Sequence, residues 1–154
     1  MSKIAVYDVN NFILNHAAIA PLLGMPRSPA PLVAVQDRPE IQNPDYPWLV
    51  YSWRYVTDPS MWWENVDEVS YAIISPDIEK IDNLAFELSQ IFKKMDKTAE
   101  DLNDYLASTG QHDNSFLWCR VTNKLSPDVA EQEGGNHTGL LVIRYSYVMN
   151  ADTP

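Results

Sequence analysis

Along residues 62–95, WWENVDEVSYAIISPDIEKIDNLAFELSQIFKKM, the apolar period changes from alternation to helical spacing. Val66, Glu68, Ser70, Ala72 and Ile74 alternate with Asp67, Val69, Tyr71 and Ile73, which predicts a strand. Both of its faces turn apolar toward the end, as in a strand covered more fully there. Ser75 then reads as an N-cap, and Pro76 as the first helical residue, where a missing N–H costs nothing. Asp77 and Glu79 follow in the first turn, on the favourable side of the helix dipole. Ile78, Ile81, Ala85, Leu88, Phe92 and Met95 recur at steps of three and four, widened by Leu84 and Ile91. That stripe predicts an amphipathic helix of about five turns, ending among Lys93, Lys94 and Lys97.

The flanking chain carries weaker versions of the same signals. Residues 8–23 predict a helix capped by Asp8 or Asn10, with Val9, Phe12, Ile13, Ala17, Ile19 and Ala20 apolar, ended or kinked by Pro21. Residues 21–47 hold seven of the eleven prolines and read as an extended arm, packed on its own domain or on a neighbour. Leu32, Val33, Val35 and Ile41 interrupt its polarity. Residues 48–56, WLVYSWRYV, predict a strand that returns through TDPSMWWEN into 66–74 as a hairpin. A short helix over 97–108 is expected to be capped by Thr98 and ended by Gly110. Strands follow at 115–122 and 139–149, joined by a long polar loop, 126–138, that carries Glu131, Glu133, Gly134, Gly135 and Asn136. The expected fold is a single α+β domain over 1–154. Its expected sheet is four-stranded and mainly antiparallel, in the order α-β-β-α-β-β, with helices on one face and a short extra helix before the third strand.

Charge narrows the functions that fit. Net charge is −10, and residues 61–110 hold eleven Asp or Glu against four Lys. An acidic chain gains no attraction to phosphate, which disfavours sequence-specific nucleic-acid binding and anionic membranes. The surplus reads either as a solvated face kept for solubility or as a surface that DNA passes without sticking. No apolar run reaches the roughly 20 residues of a membrane span. The N-terminus lacks the apolar core and cleavage site of a secretory signal. The single cysteine, Cys119, excludes an intrachain disulfide and fits a reducing compartment.

No pattern of residues points to catalysis, metal or a cofactor, so the chain reads as a non-enzyme. His16, His112 and His137 lie far apart, without ligand spacing. Asn136-His137-Thr138 fits a glycosylation pattern, but nothing indicates secretion. Gly134-Gly135 lacks the spacing and lysine of a phosphate loop. Cys119, in a predicted strand, reads as a small core residue. Asp67 and Glu68 point to opposite strand faces and cannot form a dyad. Asp96, Glu100, Asp101 and Asp104 gather at a helix start without the spacing of a calcium loop, and read as surface.

The order of features resembles the small tail terminator and tail-completion (neck) proteins of tailed bacteriophages. The resemblance covers roughly residues 8–149. It runs from the N-terminal helix with its Leu22-Leu23-Gly24 turn, through the Pro-rich crossing, to Tyr46-Pro47-Trp48-Leu49-Val50-Tyr51. It continues in Trp62-Trp63, Asp67-Glu68-Val69-Ser70-Tyr71-Ala72-Ile73 and the helix from Ser75 to Ile91. The loop at Glu133-Gly134-Gly135 and the end Tyr145-Ser146-Tyr147-Val148 complete it.

The resemblance implies a virion protein, made in the host cytoplasm, that forms a homomeric ring, usually a hexamer. That ring caps the tail tube and joins it to the head connector. Its partners would be the tube, the connector and neck proteins, with a sheath protein as a further candidate, and no membrane. DNA would pass non-specifically through its channel. A cyclic ring needs two different patches per subunit. The candidates are Pro29 and Pro31 in the arm, Trp62, Trp63 and Glu64 in the first hairpin loop, and Glu131, Glu133 and Asn136 in the second.

Trp62 and Trp63 read equally as interface anchors and as a cover for the core edge. Two other classes remain open. One is a different binding or assembly module, for example a carbohydrate-binding domain stacking a sugar on either tryptophan. The other is a small α+β enzyme, which would require a deep pocket with convergent polar groups.

Overall fold

The computed structural model describes residues 4–37, 45–56, 64–111, 113–125 and 135–150. In chain order the elements are α1 (Ala5–Asn15), β1 (Leu32–Ala34), a 3-10 turn (Val35–Asp37), β2 (Trp48–Tyr55) and β3 (Asn65–Ser75). Then come α2 (Ile78–Phe92), α3 (Asp96–Thr109), β4 (Asn114–Leu125) and β5 (His137–Met149).

The strands form one mixed sheet of five, ordered β1-β2-β3-β5-β4. The α+β class stands, but the expected four-stranded, mainly antiparallel sheet is corrected. The fifth strand lies inside the Pro-rich arm, where Leu32, Val33 and Ala34 pair in parallel with Leu49, Val50 and Tyr51. Three residues at a sheet edge need few ladder bonds, so flanking prolines are tolerated there. Pro31 itself joins the ladder through its carbonyl, which accepts from Leu49 N at 2.7 Å. The arm between 31 and 37 therefore packs on its own sheet.

Alternation in β3 decides which face is buried. Asp67, Val69, Tyr71 and Ile73 are buried, while Val66, Glu68, Ser70 and Ala72 on the other face are half-buried. Across the ladder, Val69 opposes Ile143 and Tyr71 opposes Leu141. These side chains and Leu49 on β2 share one core with Val9 and Ile13 of α1, Leu84, Leu88 and Phe92 of α2, and Leu102 and Leu106 of α3. All three helices thus cover the same side of the sheet. Two register irregularities in β4, between Phe116 and Trp118 and between Val121 and Asn123, interrupt its pairing with β5.

The helix ends differ from the expected caps. Asp77, not Ser75, is the N-cap of α2, its carboxylate accepting from Glu79 N at 3.0 Å. Ser75 Oγ accepts from Asp77 N at 3.1 Å and so fixes the chain one step earlier. The helix stops at Phe92, and Met95 leaves the stripe: it has φ 52° and is exposed. Thr98 does not cap α3; it is buried, and its hydroxyl donates to the carbonyl of Ile91, tying α3 to the end of α2. Gly110 does end α3, with φ 78° and its N–H on the last-turn carbonyls. The first helix begins at Ala5 without a side-chain cap and ends at Asn15, before Pro21. Asp8 and Asn10, expected as its caps, lie inside it on the buried side. Among the described residues no helix is long and apolar enough to cross a membrane.

Leu88 is fully buried at the centre of the α2 stripe. Leu88→Ala should lower the unfolding free energy by about 2–5 kcal/mol in urea titrations. A loss below about 1 kcal/mol would show that this face is not packed on the sheet.

Candidate functional site

A cleft of about 540 Å³ lies between α1, β1 and β2. Its walls come from two local choices of the chain. Helical spacing places Tyr7, Asn11 and Leu14 along one flank of α1. The short parallel pairing of β1 sets Leu32 and Ala34 opposite them and leads into Asp37 on the 3-10 turn. Tyr51 of β2 closes the cleft on one side, and Asp8 and Gln111 line it as well.

The electrostatics of this cleft are one-sided. Asp8 is only 6% exposed, and its Oδ2 accepts from Asn114 Nδ2 at 3.0 Å. Burial pushes the Asp8 carboxyl above its ordinary pKa; the Asn114 bond opposes the shift and the Asp113 carboxylate adds to it. Burial likewise raises the Tyr51 hydroxyl, helped by Tyr7 and Asp37. No Lys or Arg is among the described lining residues, and among the described residues neither Asp8 nor Asp37 has an ion-pair partner. Behind this wall Tyr71 Oη donates to Asn10 Oδ1 at 2.6 Å, so the back of the cleft is braced from β3.

A second polar cluster is closed to solvent. Asp67 is 0% exposed beneath β5, and Tyr147 Oη donates to its Oδ2 at 2.8 Å. The Tyr145 hydroxyl influences the same carboxylate but lies outside hydrogen-bond geometry, leaving it and Asp67 Oδ1 without partners. Burial drives the Asp67 pKa to about 6, against the Tyr147 hydrogen bond, which lowers it. Glu68 points to the opposite sheet face, as expected. There Arg144 Nε donates to it at 2.7 Å and Arg54 Nε at 3.1 Å, and the Arg144 bond, ahead of Arg54, holds its pKa low. The two adjacent carboxylates therefore sit in separate environments.

The structure distributes the sequence candidates rather than gathering them. Trp62, Trp63, Glu131 and Glu133 lie outside the described residues. Glu64 is half-buried and accepts from Ser146 Oγ at 2.5 Å. Pro29 is exposed, whereas Pro31 is buried against β2. Asn136 is buried, immediately before β5. Cys119 is fully buried, and burial pushes its thiol up to about 12, so it carries no reactive thiolate at neutral pH. Among the described residues, no group of three or more His, Cys, Asp or Glu side chains could hold a metal ion.

The cleft residues escaped the sequence reading because Asp8 looked like a cap and Asp37 like part of a polar arm. The usable signal was the apolar Leu32-Val33 pair between prolines, which marks where the arm returns to the sheet. No family model matches this chain, and no curated protein does either.

The folded chain binds the Asp67 proton more tightly than the unfolded chain does, with a pKa of about 6 against 3.8. The stability this proton contributes is complete below the lower value and is lost as pH rises through about 6. Asp67→Asn keeps an acceptor for Tyr147 and cannot ionise. Between about pH 4 and pH 8 the variant should gain about 2 kcal/mol on the wild type, read from paired denaturant titrations. Parallel stability profiles for the two proteins would refute the assignment.

Proposed function

We propose that this chain is a virion structural protein, a ring-forming subunit at the neck or tail terminus of a tailed bacteriophage. On this reading it caps the tail tube, meets the connector side through a second surface and leaves a channel for DNA. The mechanism is geometric and uses no bond-making residue. The order of sequence features supports the reading on one side. The observation that carries it is the unlikeness of the two sheet edges. One edge is the three-residue β1, bordering an acidic, tyrosine-lined cleft. The other is the twelve-residue β4, bordered by the lysine-rich turn between α2 and α3. A cyclic assembly joins unlike patches head to tail, so a subunit with two different lateral surfaces suits it better than one with a self-complementary face. The acidic surplus adds a use for the lumen, because like charge keeps the DNA backbone from sticking.

Native mass spectrometry with electron micrographs of the same sample tests the proposal. Closed rings of about six subunits with a central hole are expected. Omission of the protein from an infected cell should leave tails that do not join heads. Normal virions made without it would refute the reading, whatever the protein's mass in solution.

A further inference from the structure

The acidic cleft, walled by α1, β1 and β2, and the α2–α3 turn, beside β4, are complementary in charge. Met95 forms an isolated antiparallel bridge with Cys119 on β4. Its carbonyl accepts from Cys119 N at 3.4 Å and from Ala99 N at 3.2 Å. Because β4 is an edge strand, this turn sits outside the sheet, beyond its last strand. The backbone at Met95 has φ 52°, which an unbranched non-glycine residue adopts at a cost. Its thioether side chain is 42% exposed rather than folded into the adjacent core. Lys93 and Lys94 precede it, both exposed, and neither has an ion-pair partner among the described residues. The turn is therefore a projecting knob with an apolar tip and two unpaired ammonium groups.

The cleft offers the matching features at the β1 end. Asp8, nine-tenths buried, has one carboxylate oxygen engaged by Asn114. Asp37 stands exposed at the rim with no ion-pair partner among the described residues. The rings of Tyr7 and Tyr51 flank the opening, where aromatic faces attract ammonium groups and aromatic edges accept thioethers. Leu14 and Leu32 supply apolar surface between them. A buried carboxylate with no Lys or Arg among the described residues of its cleft is poorly compensated, and an incoming ammonium group relieves it.

We infer that the cleft between α1, β1 and β2 is a socket for a second copy of this chain, occupied by the Lys93–Met95 turn of that copy. The contact is heterologous: each subunit offers one knob, beside Cys119 of β4, and one socket, between α1, β1 and β2. Lys93 and Lys94 meet Asp37 at the rim and Asp8 within, and Met95 enters between the tyrosines. This inference rests on the assembly reading above and gives it a specific contact. A foreign lysine-rich segment in the socket is the competing occupant.

Charge reversal tests it at exposed positions that leave the core intact. Asp37→Lys and the paired Lys93→Glu, Lys94→Glu chain should each keep the wild-type melting profile. Each should weaken self-association at least about tenfold by sedimentation velocity. An equimolar mixture of the two chains should restore association, because the reversed socket of one accepts the reversed knob of the other. Met95→Gly, which suits the positive φ, should weaken association without lowering Tm. Closed wild-type rings that survive all three changes would overturn this contact and leave the ring reading standing. Charge-dependent, mixture-restored association into open chains would uphold the contact and count against the ring. Wild-type chains that stay monomeric at high concentration would overturn the contact and assign the socket to another partner.

Discussion

The pairing of β3 with β5 is the constraint from which the rest of the structure follows. Eleven residues of β3 oppose β5, from Asn65 with Tyr147 to Ser75 with His137. That length fixes the register, and the register fixes which side chains face the helices. A slip of one residue would bury Glu68, Ser70 and Ala72 and expose Val69, Tyr71 and Ile73. The end of β3 also launches α2, because Ser75 Oγ holds Asp77 N and Asp77 in turn caps the helix. α2 can therefore fold back only onto the face that Val69, Tyr71 and Ile73 present. α3 is then drawn in by Thr98 on the Ile91 carbonyl, and α1 by Asn10 on Tyr71.

Polar side chains inside this core are where the sequence pattern misleads. Asp8, Asn10, Asp67 and Asn114 are all at least nine-tenths buried. A periodicity argument assigns such residues to caps or solvent, because their chemistry favours water. Each of these is kept by a partner distant in sequence: Tyr71 for Asn10, Asn114 for Asp8, and Tyr147 for Asp67. Only the assembled sheet brings those partners close, so no local reading of residues 8–10 reveals them. The long regular elements were legible because periodicity repeats over many residues. Alternation located β3 and β5 to within two residues at each end, and the stripe of α2 was read correctly from Ile81 to Phe92. β1 was not, since three residues between prolines carry too short a signal for period two. With β1 unread, the cleft it builds was unreadable too.

Edge chemistry constrains how copies of this chain can meet. A free strand edge invites pairing with another chain, and the two edges of this sheet discourage it in different ways. At β1 only three residues are available, next to a 3-10 turn. At β4 the Asn103 side chain occupies both bonding groups of Phe116, with Nδ2 on its carbonyl and Oδ1 on its N–H, each at 2.8 Å. The Met95 carbonyl occupies Cys119 N three residues farther on. The strand is thus already partnered by side chain and turn where it leaves the helical layer, and register irregularities near Leu117 and Thr122 break its flat outline beyond that. Backbone ladders are consequently a poor route to a continuous sheet between subunits. Any lateral contact between copies would fall to side chains, whose charge and shape can discriminate one edge from the other where a backbone ladder cannot.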